Sequence, residues 1–379
     1  MSAASPVHGD SELAGSDARF MTAALALGRR WLGTTAPNPA VGAILVRNGI
    51  VVGHGATRSG GRPHAEVEAL RQAGEGARGA TLYVTLEPCS HYGRTPPCAE
   101  AIVAAGVARV VSAIEDPDPR VAGRGHQRLL AAGLPVTVGV CAKEARRAHL
   151  GHVLRTTKGR PMVTLKLAET ADGFAAAGDY DPRLRITGPA ANHRVQILRA
   201  LHEAIMVGAG TTRADDPLLT VRLPGMEDRR PLRVVVDSRA SLSLRSRLAS
   251  SARAWPTLVI AGEDAAEAAV KDLIEAGVEV ARVACGAGGV DLTAALESLA
   301  ARAITRVFCE GGPTLASRLI AQGLADEVIL FRGAMPLGRP GLPALSRDAR
   351  DALAQNSLYA PSGAGFAGLD ARESYARII

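Results

Sequence analysis

Three residues in the first half of the chain carry side chains that zinc binds in proteins. His64 is followed two positions later by Glu66, and Cys89 and Cys98 lie nine positions apart. One imidazole and two thiolates suit tetrahedral zinc, and three protein ligands leave the fourth position open for water, as in catalytic sites. Zinc in such a site lowers the pKa of bound water towards neutrality. The pattern therefore predicts a catalytic zinc site held by His64, Cys89 and Cys98.

Glu66 has the position expected of the acid–base group in this site. It lies close enough to His64 in sequence to move protons to and from the water without binding the metal. The His-x-Glu and Pro-Cys patterns match the zinc nucleobase deaminase signature, although the cysteine spacing is nine rather than the more common three. From the residues alone, a histidine at a helix start could be a cap, isolated cysteines could be buried apolar residues, and His91 could be an alternative ligand.

The sequence around these ligands resembles the deaminase domain of the bifunctional riboflavin-biosynthesis family RibD. Four segments carry the resemblance: 37–42 (PNPAVG), 87–98 (EPCSHYGRTPPC), 115–119 (EDPDP) and 121–125 (VAGRG). The resemblance implies a cytidine-deaminase-like, three-layer α/β/α domain that hydrolytically removes an amino group from a diaminopyrimidinone bearing a ribosyl phosphate. It also implies substrate contacts from Asn38, His91 and Arg94, although Asn38 between two prolines could equally be a plain turn.

A second candidate site lies in the second half, where a predicted strand at 306–309 leads into the turn 310–315 (EGGPTL) and then a helix. Glycines at a strand-to-helix turn let backbone N–H groups approach a phosphate, and the helix N-terminus adds a positive dipole. The Gly-x-Gly-x-x-Gly fingerprint of dinucleotide-binding folds is absent. The turn alone is a weak signal, because many such turns bind nothing.

Neighbouring segments resemble the reductase domain of the same family, which has a dihydrofolate-reductase-like α/β fold and uses NADPH. The segments are 168–173 (AETADG), 208–217 (GAGTTRADDP) and 237–238 (DS). The resemblance implies that NADPH contacts Ala168, Ala175, Arg185, Thr211, Asp215, Ser238, Gly312, Pro313, Thr314, Leu315, Ala316, Ser317 and Arg318. It implies that the substrate contacts Arg183, Arg199, Leu219, Arg222 and Glu310. Arginine suits a phosphate because its planar fork pairs with two oxygens, although a solvated surface charge is the usual alternative. The chain departs from the family at Arg185, where tryptophan is common, and in the lengthened segment 176–182.

Two layered α/β units are needed to position these residues. In the first, the apolar spacing predicts a helix that begins at Asp17 as N-cap, and Asn48-Gly49 predicts a hairpin within 43–52. Further helices are predicted near 63, at 97–105 and at 123–132, alternating with strands at 81–86, 108–113 and 135–140.

A basic, turn-rich stretch at 155–161 separates this series from a second one. The second series has predicted strands at 162–167, 204–207, 232–236, 257–261, 278–283, 306–309 and 327–331, with helices such as 190–201 and 314–321. The predicted organisation is a disordered tail at 1–16, a zinc-dependent deaminase domain at 17–156 and an NADPH-dependent reductase domain at 157–379.

Composition limits the location and the partners of the chain. With 379 residues, 47% of them hydrophobic, the chain can build two cores, and no apolar run reaches the roughly 18 residues that a membrane span needs. The net charge is +7, but the basic residues are scattered and aromatics make up only 3%, which disfavours nucleic acid as a partner. Five dispersed cysteines do not form a disulfide framework. We expect a cytoplasmic homo-oligomer, a dimer or tetramer, with a small phosphorylated pyrimidine as substrate and neither nucleic acid nor membrane as partner.

The combined resemblance implies two successive reactions of riboflavin biosynthesis. These are zinc-dependent deamination of 2,5-diamino-6-(5-phosphoribosylamino)pyrimidin-4(3H)-one and NADPH-dependent reduction of its ribosyl group, which gives 5-amino-6-(5-phosphoribitylamino)uracil. One rival is a nucleoside or nucleic-acid deaminase with an unrelated second domain, which the cysteine spacing and the glycine turn disfavour. The other is a structural zinc module joined to a nucleotide-sensing domain, which a fourth protein ligand on the metal would favour.

Overall fold

The chain divides into two units, Met1–Gly159 and Arg160–Ile379. The computed structural model describes residues 8–93, 96–178, 184–355 and 357–378, with side chains from residue 15 onward. The division falls three residues after the boundary expected between 156 and 157. A helix occupies Leu150–Lys158 and ends at Gly159, whose φ of 66° is left-handed, so most of the stretch expected to be turn-rich is helical. Arg160 then forms a buried ion pair with Asp326 of the second unit, 2.7 Å apart.

The first unit is a five-stranded sheet with helices packed against it. Its helices are α1 (His8–Arg29), α2 (Ala65–Ala73), α3 (Cys98–Ala104), α4 (Arg124–Ala131), α5 (Ala142–Ala148) and α6 (Leu150–Lys158). Its strands are β1 (Gly42–Arg47), β2 (Ile50–Ala56), β3 (Thr81–Val84), β4 (Arg109–Ser112) and β5 (Val136–Val138). The strand order is β2-β1-β3-β4-β5. Strand β1 is antiparallel to β2 and β3, whereas β3, β4 and β5 run parallel.

The hairpin expected at Asn48-Gly49 is confirmed, and close packing on β1 and β2 gives three layers. Asn48 and Gly49 both have left-handed φ values, 53° and 77°, as a two-residue hairpin turn requires. A Cβ on Gly42 would lie 1.9 Å from the carbonyl oxygen of Ala24 in α1, and one on Gly55 would lie 2.3 Å from that of Ala65 in α2. Gly55 pairs with Ala43, the neighbour of Gly42, so α1 and α2 cover opposite faces of the sheet.

The first helix begins earlier than the sequence indicated. It starts at His8, so residues 8–16, which were assigned to a disordered tail, are helical, while 1–7 lie outside the described residues. Asp17 is therefore not the N-cap but an interior residue of α1. Its buried carboxylate accepts hydrogen bonds from the Tyr83 hydroxyl (2.8 Å) and from the Arg109 guanidinium (2.7 and 3.0 Å), which ties α1 to β3 and β4. A carboxylate with these partners has a tertiary role that local capping rules cannot reveal.

The second unit is built around a nine-stranded sheet. Its helices are α7 (Pro189–Ala200), α8 (Ala209–Asp215), α9 (Arg247–Ser250), α10 (Glu267–Glu275), α11 (Leu292–Ala301), α12 (Pro313–Ala321) and α13 (Arg347–Ala354). The strands of the large sheet are β6 (Met162–Glu169), β8 (Ala204–Gly208), β9 (Leu232–Val236), β10 (Thr257–Gly262), β11 (Glu279–Val283), β14 (Arg306–Cys309), β15 (Glu327–Arg332), β17 (Tyr359–Ala367) and β18 (Asp370–Arg377). Four short strands form two small ladders: β7 (Phe174–Ala176) with β16 (Leu342–Pro343), and β12 (Cys285–Gly286) with β13 (Gly289–Val290).

The order of the large sheet is β11-β10-β9-β8-β14-β6-β15-β18-β17. The strands from β11 to β15 run parallel. Strand β18 pairs antiparallel with β15, and the edge strand β17 pairs antiparallel with β18. The carboxyl ends of β8, β9 and β14 therefore meet at the same edge, where parallel α/β sheets bind ligands. All seven strands that the sequence predicted in this half are present, while the β17–β18 hairpin was not predicted. None of the described helices combines the length and apolar character that membrane crossing requires.

Candidate active sites of the two units

Local structure explains how the expected zinc ligands come together in the first unit. His64 is the N-cap residue of α2, and Cys98 is the first residue of α3. Cys89 lies in the loop that follows β3, and its sulfur accepts a hydrogen bond from the backbone N–H of Cys98 at 3.3 Å. The N-terminus of a helix stabilises thiolate because its free N–H groups carry partial positive charge. The fold thus brings one imidazole and two thiols into a single cluster.

The distances between the three donor atoms fit tetrahedral zinc. Nδ1 of His64 lies 3.3 Å from Sγ of Cys98 and 3.6 Å from Sγ of Cys89. A zinc ion at its usual bond lengths, roughly 2.1 Å to nitrogen and 2.3 Å to sulfur, separates tetrahedral donors by about 3.6 Å. Hydrogen bonds with Cys98 and His64 lower the pKa of the Cys89 thiol to about 4, although burial opposes this shift. Metal binding itself deprotonates thiol ligands.

Glu66 lies on the first turn of α2 beside these donors. The residue is 4% exposed, and its carboxyl group forms a hydrogen bond with Cys98. Burial raises the pKa of Glu66 to about 7, because loss of hydration disfavours the charged form. A buried carboxyl in contact with the donor set is in the right place to hold and return a proton.

The expected substrate residues of this unit lie near the donors where the structure describes them. The amide nitrogen of Asn38 lies 3.3 Å from Nε2 of His64 and donates a hydrogen bond to the carbonyl oxygen of Gly61 at 2.9 Å. His91 is half-buried on the loop between the two cysteines, and its Nδ1 has no hydrogen-bond partner among the described residues. Arg94 lies outside the described residues.

In the second unit, the expected glycine turn is present at the carboxyl edge of the large sheet. Glu310 to Gly312 follow β14, and Pro313 opens α12 at its first position. Thr211, on the first turn of α8, accepts a hydrogen bond from the N–H of Gly312 at 3.0 Å through its hydroxyl oxygen. Two residues that the sequence assigned to the cofactor site are therefore in direct contact, although 101 positions separate them.

Arg199 and Glu310, both expected to contact the substrate, form a bidentate ion pair beside this turn. The nitrogen–oxygen distances are 2.6 and 3.0 Å, and Arg199 also donates to the carbonyl oxygen of Thr220 at 2.9 Å. Leu219, which precedes Thr220, is buried with a left-handed φ of 52°. Burial and the nearby charge of Arg199 lower the pKa of Arg222. Four of the five expected substrate residues thus converge, and the fifth, Arg183, lies outside the described residues.

Comparison with known proteins covers both units. Residues 15–114 match the family described as "Cytidine and deoxycytidylate deaminase zinc-binding region", and residues 161–354 match "RibD C-terminal domain". The chain is 40% identical over 336 residues to the riboflavin biosynthesis protein RibD of Escherichia coli (strain K12), covering 85% of this chain and 89% of that one. The chain belongs to the RibD family. It is a bifunctional enzyme of riboflavin biosynthesis, with a zinc-binding deaminase domain and an NADPH-dependent reductase domain.

Other relatives agree with this family membership. RibD of Aquifex aeolicus (strain VF5) is 40% identical over 315 residues, which is 83% of this chain and 86% of that one. A solved structure of Acinetobacter baumannii RibD superimposes with a TM-score of 0.84 at 36% identity, covering 97% of this chain and 100% of that chain. The Thermotoga maritima protein described as a diaminohydroxyphosphoribosylaminopyrimidine deaminase/5-amino-6-(5-phosphoribosylamino)uracil reductase has a TM-score of 0.81 at 30% identity, covering 96% of this chain and 99% of that chain. The two-domain α/β fold expected from the sequence is confirmed.

Two expected cofactor residues of this RibD-family chain support a short hairpin rather than the glycine turn. Ser238, which follows β9, accepts a hydrogen bond from the N–H of Val290 at 3.0 Å. Arg318 donates to the carbonyl oxygens of Gly288 and Val290, both at 2.8 Å. Ser238 and Arg318 therefore hold the β12–β13 hairpin from two sides. Of the intervening residues expected at the cofactor, Pro313, Thr314, Leu315, Ala316 and Ser317 all lie on α12.

The remaining expected cofactor residues occupy other parts of the second unit. Ala168 lies near the end of β6, Ala175 lies on β7, and Asp215 is the last residue of α8. Arg185 lines a cavity of about 470 Å³ whose wall also includes the turn between β17 and β18. None of these four residues lies on the Gly312 turn or on α12. Their role at the cofactor therefore stays a prediction.

Two residues in contact with the chain around Cys89 were not singled out from the sequence. Glu87 is a fully buried carboxylate two positions before Cys89, and Arg128 on α4 donates to the carbonyl oxygen of Ser90 at 3.0 Å. A carboxylate next to a Pro-Cys pair at the end of a predicted strand was the one available signal for Glu87. Arg128 has no such signal, because its acceptor is a backbone oxygen distant in sequence.

Proposed function

We propose that the first unit deaminates 2,5-diamino-6-(5-phosphoribosylamino)pyrimidin-4(3H)-one. We propose that the second unit then reduces the ribosyl group of the product to give 5-amino-6-(5-phosphoribitylamino)uracil, with NADPH as the reductant. The observation that carries the deaminase assignment is the His64, Cys89 and Cys98 donor set, 3.3 and 3.6 Å apart, with buried Glu66 beside it. The substrate class is supported by the activity that describes the Thermotoga maritima relative.

In the deaminase, His64, Cys89 and Cys98 would hold zinc, whose role when bound is to activate water near neutral pH. Glu66 would take a proton on its carboxyl group and deliver it to the amino nitrogen that leaves as ammonia. The atoms balance, because one water replaces one amino group and leaves a carbonyl on the pyrimidine ring. Burial of Glu66 supports this role, since it keeps bulk water from exchanging the proton.

Three further side chains would bind the pyrimidine substrate in this unit. Asn38, 3.3 Å from the ring of His64, is placed to bind a polar edge of the base, because its amide can both donate and accept hydrogen bonds. His91 carries a buried ring nitrogen with no partner among the described residues, which a ligand atom could satisfy. Arg94 would contact the base or its phosphoribosyl group, as the resemblance to the family implies.

In the reductase, the backbone N–H groups of the first turn of α12, which follows Gly312, would bind the pyrophosphate of NADPH. The other cofactor contacts predicted from the sequence remain part of this proposal. Arg222 would bind the substrate phosphate, because its charged guanidinium lies near the Arg199–Glu310 pair, where the substrate is expected to bind. The cofactor supplies the hydride, and the chain supplies position and charge.

Cytoplasmic location and assembly as a dimer or tetramer remain predictions. The first is supported by the biosynthetic role of the family and by five cysteines that are all free in the structure. A tag-free preparation analysed by light scattering during size-exclusion chromatography would give the assembly state.

The deciding experiment incubates the zinc-loaded chain with the diaminopyrimidinone phosphate, with and without NADPH, and follows ammonia and NADPH separately. We expect one ammonia per substrate in both samples, and NADPH consumption that begins only after ammonia appears. Cytidine and transfer RNA are offered in parallel. Ammonia from either of these, and none from the pyrimidine phosphate, would replace the proposal with a nucleoside or nucleic-acid deaminase.

A further inference from the structure

Glu87 is a buried carboxylate for which the proposed reactions have no use. Its side chain is fully buried, and it accepts four hydrogen bonds from backbone N–H groups. Oε2 accepts from Asp116 at 3.1 Å and from Gly123 at 2.9 Å, and Oε1 accepts from Gly125 at 2.8 Å and from His126 at 3.1 Å. These donors belong to the segment that leads into α4 and to the start of that helix.

This bonding pattern excludes a simple alternative, a second metal site. Oxygen and nitrogen atoms of Glu87, Glu115 and His126 lie within 4.8 Å of one another, a spacing that could hold an ion. However, the two carboxylate oxygens of Glu87 offer about four lone-pair sites, and four backbone N–H groups already occupy them. Glu87 is therefore committed to the backbone of the α4 segment.

Helix α4 contacts the chain on both sides of Cys89. On one side it binds Glu87, and Gly125 packs so closely that a Cβ there would lie 2.0 Å from the carbonyl oxygen of Pro88. On the other side, Arg128 donates to the carbonyl oxygen of Ser90 at 3.0 Å. Arg128 also pairs with Glu100 on α3, the helix that begins with Cys98.

We propose that Glu87 is a positioning residue for the metal site. It fixes α4 against the loop that carries Cys89, so the backbone before and after Cys89 is held in place. The sulfur of Cys89 then points at the other two donor atoms. The inference rests on the zinc site proposed above. A zinc site tolerates donor displacements of only about 0.2 Å, so loosening one ligand loop reduces affinity even when all ligands remain. Loss of an outer partner of a metal ligand typically costs 10–100-fold in affinity.

The test is zinc affinity of the full chain carrying Glu87→Gln, measured by competition with a chromophoric chelator. The substitution keeps the shape but turns one oxygen into an NH₂ group that faces two backbone N–H donors. We expect zinc affinity to fall 10–100-fold. The cobalt(II)-loaded variant should also show shifted d–d and thiolate-to-metal absorption, because the position of Cys89 changes. Wild-type affinity together with an unchanged cobalt spectrum would overturn the inference.

A matched control separates positioning from general destabilisation. Glu203 is a partly buried carboxylate of the second unit that accepts from the N–H groups of Thr305 (3.0 Å) and Arg306 (2.7 Å). Glu203→Gln should destabilise its own unit and leave zinc affinity and the cobalt spectrum unchanged. An equal loss of zinc affinity in Glu203→Gln would overturn the specific role of Glu87.

A second variant keeps the test decisive if Glu87→Gln does not fold. Arg128→Gln alters a half-exposed side chain and removes its hydrogen bond to Ser90 and its ion pair with Glu100, so we expect a several-fold loss of zinc affinity. Wild-type affinity in that folded variant would overturn the inference.

The wild-type chain and Cys98→Ser distinguish failure of this inference from failure of the zinc site itself. If wild type binds no zinc, the metal site and this inference both fail; if wild type binds and Cys98→Ser does not, an unaffected Glu87→Gln refutes the inference alone.

Discussion

The metal site of the first unit and the glycine turn of the second both follow strands, but different parts of the chain supply their chemistry. In the first unit, three side-chain donor atoms lie within 4.8 Å of one another, and a fourth side chain, Glu66, lies beside them. In the second unit, the groups proposed to bind the cofactor phosphates are backbone N–H groups. There, Thr211 supports the turn through the N–H of Gly312, and Arg199 pairs with Glu310.

This difference has a consequence for substitutions in the two units. A side chain that carries the chemistry can be replaced with little effect on folding, because its partners are few. A side chain that supports a backbone site cannot be replaced without moving the backbone, so stability and activity should change together. A single substitution at a side chain that carries the chemistry should therefore abolish deamination. A substitution at a side chain that supports the glycine turn should reduce the rate of reduction in step with the stability of the second unit.

The largest expected effect is that of Glu66→Gln on deamination. General acid–base groups typically contribute about 10²–10⁴-fold to a rate, and the amide cannot carry the proton. We expect ammonia release to fall by at least that range, while zinc content measured by atomic absorption stays at one per chain. NADPH oxidation with the deaminated pyrimidine phosphate as substrate should be unchanged, since the second unit is intact.

Glu68→Gln is the matched control for this variant. Glu68 lies two residues after Glu66 on α2 and pairs with Arg58 rather than with His64, Cys89 or Cys98. It should release ammonia at close to the wild-type rate. Rapid ammonia release by Glu66→Gln would remove the contrast between the two sites, because the chemistry would no longer depend on one side chain.

The next largest effect is expected from breaking the Arg199–Glu310 pair. Both side chains are largely buried, and removal of one partner from a buried ion pair costs about 3–5 kcal/mol, since the other charge is left unpaired. Arg199→Met should lower the free energy of unfolding of the second unit by that amount and also reduce NADPH oxidation. Urea unfolding monitored by circular dichroism, together with the reductase assay, measures both.

The double variant Arg199→Met/Glu310→Gln serves as the control, because it leaves no unpaired charge. It should recover part of the lost stability. If Arg199→Met abolished reduction with no change in unfolding free energy, Arg199 would act directly on the substrate, and the second site would resemble the first.

The same contrast explains how much could be predicted from the sequence. His64, Cys89, Cys98 and Glu66 were identified by residue type, since few other residues can do their chemistry, and the structure brings all four together. The β1–β2 hairpin was also predicted, because Asn48-Gly49 has a specific turn preference. Signals of this kind are local or depend on rare residue types.

What the sequence did not reveal depends on distant backbone partners. The acceptors of Arg128 and the donors to Glu87 are main-chain groups far along the chain, which have no residue-type signature. Strand β17 was missed because glycine, alanine and serine have low strand propensity, and its formation depends on pairing with β18. The order of the nine-stranded sheet is likewise decided by tertiary contacts.

We expect the smallest effect from Thr211→Val, which is also the most direct test of a site made of backbone groups. The valine keeps the shape of threonine but cannot accept the hydrogen bond from the N–H of Gly312, and such a bond contributes about 1 kcal/mol. We expect the NADPH dissociation constant, measured by fluorescence titration, to rise several-fold, with a similarly modest loss of stability in the second unit.

Thr211→Ser retains the hydroxyl and should bind NADPH like wild type. If valine bound NADPH like wild type and serine did not, the methyl group rather than the hydrogen bond would support the turn. The turn would then depend on packing, and the backbone site would tolerate loss of its polar partner.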